Sequence, residues 1–293
     1  RQAMIGANRS ILDEAVSSGA VEVRPGLKMA EDGPLEEVLA SCIEPLLEYV
    51  GDRYAAAQFL QELKISGHVE SLEKDDLARL STAITLKLLM QGSFAADSIV
   101  GEVIRLRHEV VENSLEMVQL LNACGNRDLP GLGLQICLRD ESALPEARKM
   151  AAEYKDHILR EIGFLREKSR AMKNIRYLKM ENGEAGAIVS GLGIRYLYTD
   201  LPLVTLNHKE GMVKISGRGN RPLISRGLDL SVAMRRATGA VGGVGGGHTI
   251  ASGGSIPPGS EDRFLTILDE IVGEQIHPPE KEPAPPAESG SGI

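Results

Sequence analysis

Apolar residues along this 293-residue chain recur at two different spacings, and the change from one to the other divides it. Residues 35 to 116 have a helical period, as in Leu77 to Met90 with Gly92 as a stop and in Ser98 to Val111. Pro145 then stands where a helix can start. Ala147, Ala151, Tyr154, Ile158, Ile162 and Leu165 follow it at steps of three and four, which describes one face of a long helix. Beyond it the apolar runs shorten. Ile175 to Met180, Leu203 to Leu206, Met212 to Ile215 and Gly254 to Ile256 read as strands, interleaved with helices near Ala185 to Tyr196, Leu228 to Ala237 and Ser260 to Val272. Ser260 is placed as an N-cap and Gly273 as a stop. From His277 onward prolines alternate with Glu, Ser and Gly, a composition that predicts a disordered tail. The expected class is α/β: a helical region over 1–143, a connector helix over 144–169, a small mixed α/β domain over 170–276 and a tail over 277–293.

Composition fits that plan. At 42% hydrophobic and 25% charged the chain is ordinary for a globular protein with cores of useful size. No apolar run approaches the roughly 20 residues that span a bilayer, and no signal-peptide pattern opens the chain, so no membrane partner and a cytoplasmic location are expected. Cys42, Cys124 and Cys137 are odd in number and lack a metal-type spacing, so they read as buried thiols.

Charge changes the picture only when it is divided along the chain. Residues 1 to 169 hold 19 Lys and Arg against 28 Asp and Glu, net −9, whereas 170 to 276 hold 13 against 10, net +3. Between Lys209 and Arg236, seven basic residues (Lys209, Lys214, Arg218, Arg221, Arg226, Arg235 and Arg236) stand against only Glu210 and Asp229. A local basic run inside an acidic protein suits contacts that displace counterions from a polyanion.

That run leads into the densest glycine segment of the chain, Gly242 to Gly254. A stretch with so few side chains persists in an ordered domain where backbone takes φ > 0 or approaches something closely. Gly245, Gly246 and Gly247 would free N–H groups for an anion. Thr249-Ile250-Ala251 would open a short helix pointing its positive end the same way, and His248 would stand at the rim as a donor. Upstream, Arg218 and Arg221 on a flexible Ser216-Gly217-Arg218-Gly219 loop suit bidentate phosphate contacts. His68, His108, His157 and His208 read as surface or structural groups. Trp is absent and aromatics are 3%, so base stacking is not the leading contact; Tyr177, Tyr196 and Tyr198 read mainly as packing.

Ser216-Gly217-Arg218 and the later Gly246-Gly247-His248-Thr249-Ile250-Ala251-Ser252-Gly253 together resemble the C-terminal substrate-binding domain that accompanies DHH-type phosphoesterases. Leu121-Asn122-Ala123-Cys124-Gly125, followed by Leu132 to Leu138, resembles the Leu-Asn-Ala-x-Gly-Arg segment of RecJ-type single-strand nucleases. The resemblance is greatest to archaeal RecJ-like exonucleases that associate with the GINS replication complex. It runs from about Arg1 to Gln275 and is stronger after Gly101. Asn126 stands where the family has arginine, with Arg127 one place later.

The resemblance implies a nucleic-acid-binding α/β domain that takes single-stranded nucleic acid, with GINS as a partner. The site residues it implies are Ser216, Gly217, Arg218, Arg221, Gly245, Gly246, Gly247, His248, Ser252 and Arg127. It implies manganese or magnesium for the whole enzyme. The family's Asp-x-Asp-Gly and Asp-His-His motifs have no counterpart here, so no catalytic residue, metal ligand or cofactor is expected in this chain. Asp75-Asp76 and Asp156-His157 read as solvated helix faces. The chain is therefore expected to be the downstream portion of a RecJ-like protein, either its substrate-gripping half or a non-catalytic scaffold of a replication assembly.

Overall fold

The computed structural model describes residues 6–29, 31–93, 95, 99–180, 185–209 and 211–277. The expected tail lies, from residue 278, outside the described residues. The first half contains α1 (Ala7–Ser17), β1 (Val21–Leu27), α2 (Leu35–Ser41), α3 (Arg53–Leu63), α4 (Lys74–Met90), β2 (Val100–Leu106), α5 (Ser114–Asn126), α6 (Pro130–Cys137) and α7 (Leu144–Lys168). The helix expected over Ser98 to Val111 is instead strand β2, pairing antiparallel with β1 from Val21↔Leu106 to Leu27↔Val100. Its apolar positions satisfy a helical period too. The β-branched Val100, Val103 and Ile104 favour the extended form once β1 supplies partners for the backbone. The Arg105 guanidinium forks onto Asp32 at 2.5 and 2.8 Å beside this ribbon. The region expected to be purely helical is therefore helices around a two-stranded ribbon.

The long apolar stripe becomes α7, with Pro145 in its first turn and Ala147, Tyr154, Ile158, Ile162 and Leu165 buried. After it come β3 (Arg170–Ala171), β4 (Arg176–Met180), α8 (Gly186–Leu192), a π-helical turn Gly193–Leu197, β5 (Leu203–Lys209), β6 (Met212–Arg218), α9 (Arg221–Ser225), α10 (Leu230–Gly239), β7 (Val244–Gly247), β8 (Ala251–Ile256) and α11 (Glu261–Ile276). The strands form one sheet in the order β3-β4-β5-β6-β8-β7, in which only β4 and β5 run parallel, joined through α8.

The two halves share a core. Leu60, Ile84 and Leu88 from the helical half, Ile162 and Leu165 of α7, and Leu203, Phe264 and Leu268 around the sheet belong to one continuous apolar cluster. Hydrogen bonds seal the join: Ser93 Oγ to Arg195 O at 2.7 Å, Thr199 Oγ1 to Gly92 O at 3.0 Å, and Gln91 Nε2 to Tyr196 O at 3.3 Å.

Two details depart from expectation. Gly273 does not end α11; a Cβ there would stand 2.5 Å from Asn174 Nδ2, so the glycine lets the helix lie against the strand entry. Among the thiols only Cys124 is buried, whereas Cys42 is half-buried and Cys137 exposed. Tyr196 is buried, and Tyr177 and Tyr198 pack partly against the core.

Buried Asp269 of α11 fastens the start of β4. Its carboxylate accepts from Asn174 N at 2.7 Å, Ile175 N at 3.0 Å and Asn174 Nδ2 at 3.2 Å. Asp269→Ala should lower unfolding stability by about 3 kcal/mol or more, since buried donors left unpaired cost ~1–3 kcal/mol each; urea denaturation measures it. Asp229 caps α10, accepting from Ser231 Oγ, Ser231 N and Val232 N, and these bonds hold its pKa below the usual 3.8. A depressed folded pKa means the cap's contribution is complete above the unfolded pKa and lost as pH falls through the folded one. The gap in melting temperature between the parent and Asp229→Asn should therefore be widest near neutral pH and close under acid.

Candidate phosphate-binding face

The glycine-rich segment is a β-hairpin. His248 N donates to Ala251 O at 2.8 Å and Ala251 N to His248 O at 3.2 Å, leaving Thr249-Ile250 as a two-residue tip. The short helix expected from Thr249 is thus a turn, and Ala251 opens β8 three residues before the expected strand start. Ser216-Gly217-Arg218 is not a loop either. Pairing with β5 on one side and β8 on the other keeps β6 extended through Arg218. Side-chain-poor segments became strands because neighbouring strands saturate their backbone groups. The tip is anchored: Gly219 N donates to Ile250 O at 2.8 Å, Leu230 N to Thr249 O at 3.0 Å, and Ser252 Oγ to His248 O at 2.8 Å.

Register sorts the expected residues onto two faces, because directly opposed residues share a side of the sheet. Gly217, Ser252 and Gly247 fall in one row and face α10; a Cβ on Gly217 would meet Met234 Cε at 2.9 Å. Gly245 faces the same helix, where a Cβ would meet Thr238 Oγ1 at 2.7 Å. The opposite face carries Arg218, Ala251 and His248 in one row, Ser216, Gly253 and Gly246 in the next, and Lys214, Ser255 and Val244 in the third. On this side α8 covers β5, where Thr205 Oγ1 donates to Gly186 O at 3.1 Å. Beyond it His248, Lys214 and Val244 are exposed and a Cβ on Gly246 would meet nothing within 4 Å.

Arg218 is the charged centre of that open face. Its guanidinium is half-buried, donates to Gly217 O at 2.9 Å, and among the described residues has no carboxylate within ion-pair distance. Burial pushes its pKa down from the ordinary arginine value, yet an arginine stays cationic. A partly desolvated cation with no counter-charge among the described residues, beside a donor-capable histidine and a bare stretch of backbone, is suited to an oxyanion.

Other expected residues lie apart. Arg221 opens α9 and Arg226 closes it, both exposed. Arg127 follows α5 and stacks over the Tyr154 ring at 5.4 Å, in the helical half. Arg235 and Arg236 project from α10, behind the sheet, with Arg236 at 3.6 Å from Glu274. The basic run seen in one dimension is thus divided between two faces. Lys214 was legible only as one member of the basic run and Ser255 not at all; the available signal was alternation, since Lys214, Ser216 and Arg218 occupy every second position of β6.

A separate cleft of about 730 Å³ opens between α5, α7 and α8, lined by Asn122, Ala123 and Asn126 and rimmed by the pairs Arg148–Glu116, Arg195–Glu44 and Lys155–Glu31. The Leu-Asn-Ala segment therefore faces this cleft. Among the described residues no three His, Cys, Asp or Glu groups converge, and Asp76 is paired with Arg79 in the first turns of α4.

Residues 175–274 match the DHHA1 domain family. That stretch is what the chain shares with the family. It contains the whole open face, from β4 to α11. Over 274 residues, 93% of its length, the chain is 30% identical to an uncharacterized protein of the archaeon Methanocaldococcus jannaschii, and it spans 60% of that relative. Among solved structures, RecJ of Thermus thermophilus, solved with Mn²⁺, superposes with a TM-score of 0.45 at 15% identity over 55% of this chain and 24% of that one. CDC45 of Entamoeba histolytica gives 0.56 at 6% identity, covering 86% of this chain and 58% of CDC45. With CDC45 the likeness is one of fold alone.

The glycine hairpin offers a sharp test of which glycines are structural. Gly247 has φ 143 and a Cβ there would stand 2.8 Å from Ala251 O, whereas Gly246, expected to need φ > 0, lies outside that region and faces open space. Gly247→Val should lower the melting temperature clearly, by about 2 kcal/mol or more of stability. Gly246→Val should melt like the parent, as differential scanning fluorimetry will record.

Proposed function

We propose that the open DHHA1 face grips the phosphates of single-stranded nucleic acid, as the substrate-holding part of a RecJ-like DHH phosphoesterase. The observation that carries this reading is Arg218: a half-buried guanidinium with no carboxylate in ion-pair distance among the described residues, in one cross-strand row with His248 and next to the uncovered Gly246. Arg218 supplies the fixed charge, His248 and Ser216 supply neutral or cationic donors, and the missing side chain at Gly246 lets a sugar–phosphate backbone lie close to the sheet. Bond cleavage is assigned to manganese or magnesium held by residues other than those described here, so this face binds and orients without performing the chemical step.

Contacts of this kind are made to the backbone of the ligand and not to base edges, which sets what binding should look like. Single-stranded oligonucleotides should bind with an affinity that falls steeply as salt rises. Arg218→Ala should weaken all base sequences alike, and His248→Ala should cost about 1 to 3 kcal/mol, the worth of a hydrogen bond to a charged group. Gly246→Val should abolish binding while leaving the fold intact. Fluorescence anisotropy across a salt series measures all three. Affinity indifferent to salt, or a change confined to base preference in Arg218→Ala, would refute the reading.

A further inference from the structure

We infer that β6 and the strands beside it form a ladder for consecutive phosphates of one extended strand, with Lys214 and Ser255 as a second phosphate station beyond Arg218 and His248. This rests on the reading of the face given above and adds the class of ligand: a chain with several phosphates, as opposed to a mononucleotide.

Sheet geometry carries the argument. Arg218, Ser216 and Lys214 alternate along β6, so they project from the same side at intervals of two residues, about 7 Å. Each heads a cross-strand row: Arg218 with Ala251 and His248, Ser216 with Gly253 and Gly246, Lys214 with Ser255 and Val244. The polar groups therefore repeat, cation then hydroxyl then cation, at twice the ~3.4 Å axial step per phosphate of a stacked strand. That longer repeat suits a strand pulled straight with its bases unstacked.

The middle row has glycine at two of its three positions, which lets the ligand backbone pass from one station to the other without obstruction. Lys214 is set up as Arg218 is. Lys87, Lys155 and Lys179 each pair with a carboxylate, whereas Lys214 Nζ is held at 3.1 Å by the Ser255 hydroxyl. Among the described residues no carboxylate lies within ion-pair distance of it. A hydroxyl orients the ammonium without neutralising it, so its charge stays available to a phosphate. Val244, 77% exposed, closes that row with an apolar surface on which a ribose or base can rest.

The test uses the full chain with 5′-phosphorylated mono-, tri- and hexathymidylate, titrated against the parent, Lys214→Ala and Arg218→Ala at several salt concentrations, with melting curves to show that each variant folds. Affinity should rise at least about tenfold from mono- to trithymidylate, a difference of ~1.4 kcal/mol. Lys214→Ala should lose most of that gain, reduce the salt slope for the longer ligands by about 0.7, the value of one single-strand phosphate contact, and leave mononucleotide affinity unchanged. Arg218→Ala should weaken every length. Affinity independent of length, or equal losses for mono- and trithymidylate in Lys214→Ala, overturns the ladder while the Arg218 grip stands. Failure of every length to bind the parent overturns the grip and the ladder together.

Discussion

The close seat of α10 on bare backbone is the constraint from which the architecture of the second half follows. Gly217, Gly245 and Gly254 meet the helix at Met234 and Thr238, at positions where an added Cβ would lie 2.7 to 2.9 Å from those side chains. Thr238 is itself fully buried and its hydroxyl donates to Met234 O at 2.8 Å, so it has no freedom to retreat. Crowding a core contact of this kind costs about 1–3 kcal/mol. Glycine is therefore required on the helix side for packing, while on the other side of the same strands Gly246 is unconstrained. The same residue type serves two purposes within four positions, and the pleat of the strand separates them.

That seat also determines where function can reside. With α10 and α11 filling one side of the sheet and α8 packed against β5 and β6 on the other, the open part of the second side is left to the outer edge of β6, where Lys214 is exposed, and to β8 and β7. The face is held rigidly because its supports are held. α7 delivers Leu165 against the π-helical turn, where a Cβ on Gly193 would stand 2.7 Å from Leu165 Cδ2, and the end of α4 hydrogen-bonds the same turn. A binding face mounted on a shared core loses little freedom when a ligand docks. The charge distribution adds direction: the helical half is net acidic and repels a polyanion, whereas the sheet carries the excess of Lys and Arg.

Much of this was legible in the amino-acid sequence. The stripe from Ala147 to Leu165 specified α7 because helical periodicity is a local property, sampled many times over 25 residues. Strands β4, β5 and β6 and helices α10 and α11 were visible for the same reason, and Ser216, Arg218, Gly246 and His248 were recognisable as one constellation from their residue types and order. Segments whose own preferences are weak were misread. Residues 100 to 106 fit helix and strand equally until β1 offers a partner, and the Gly245–Gly247 run has no intrinsic preference that would announce an edge strand.

Tertiary structure alone decided which side of the sheet each residue occupies. Seven basic residues that are neighbours in sequence divide between an open strand face, the ends of the short helix α9 and the back of α10, because β-strands alternate and the helix that follows must cover one side only. The same alternation made Lys214 and Ser255 part of the face and turned Gly217 and Ser252 away from it. Chemical types and their order are properties of the chain. Their convergence on one surface is a property of strand register, which depends on partners 30 or more residues away, as Lys214↔Ser255 shows.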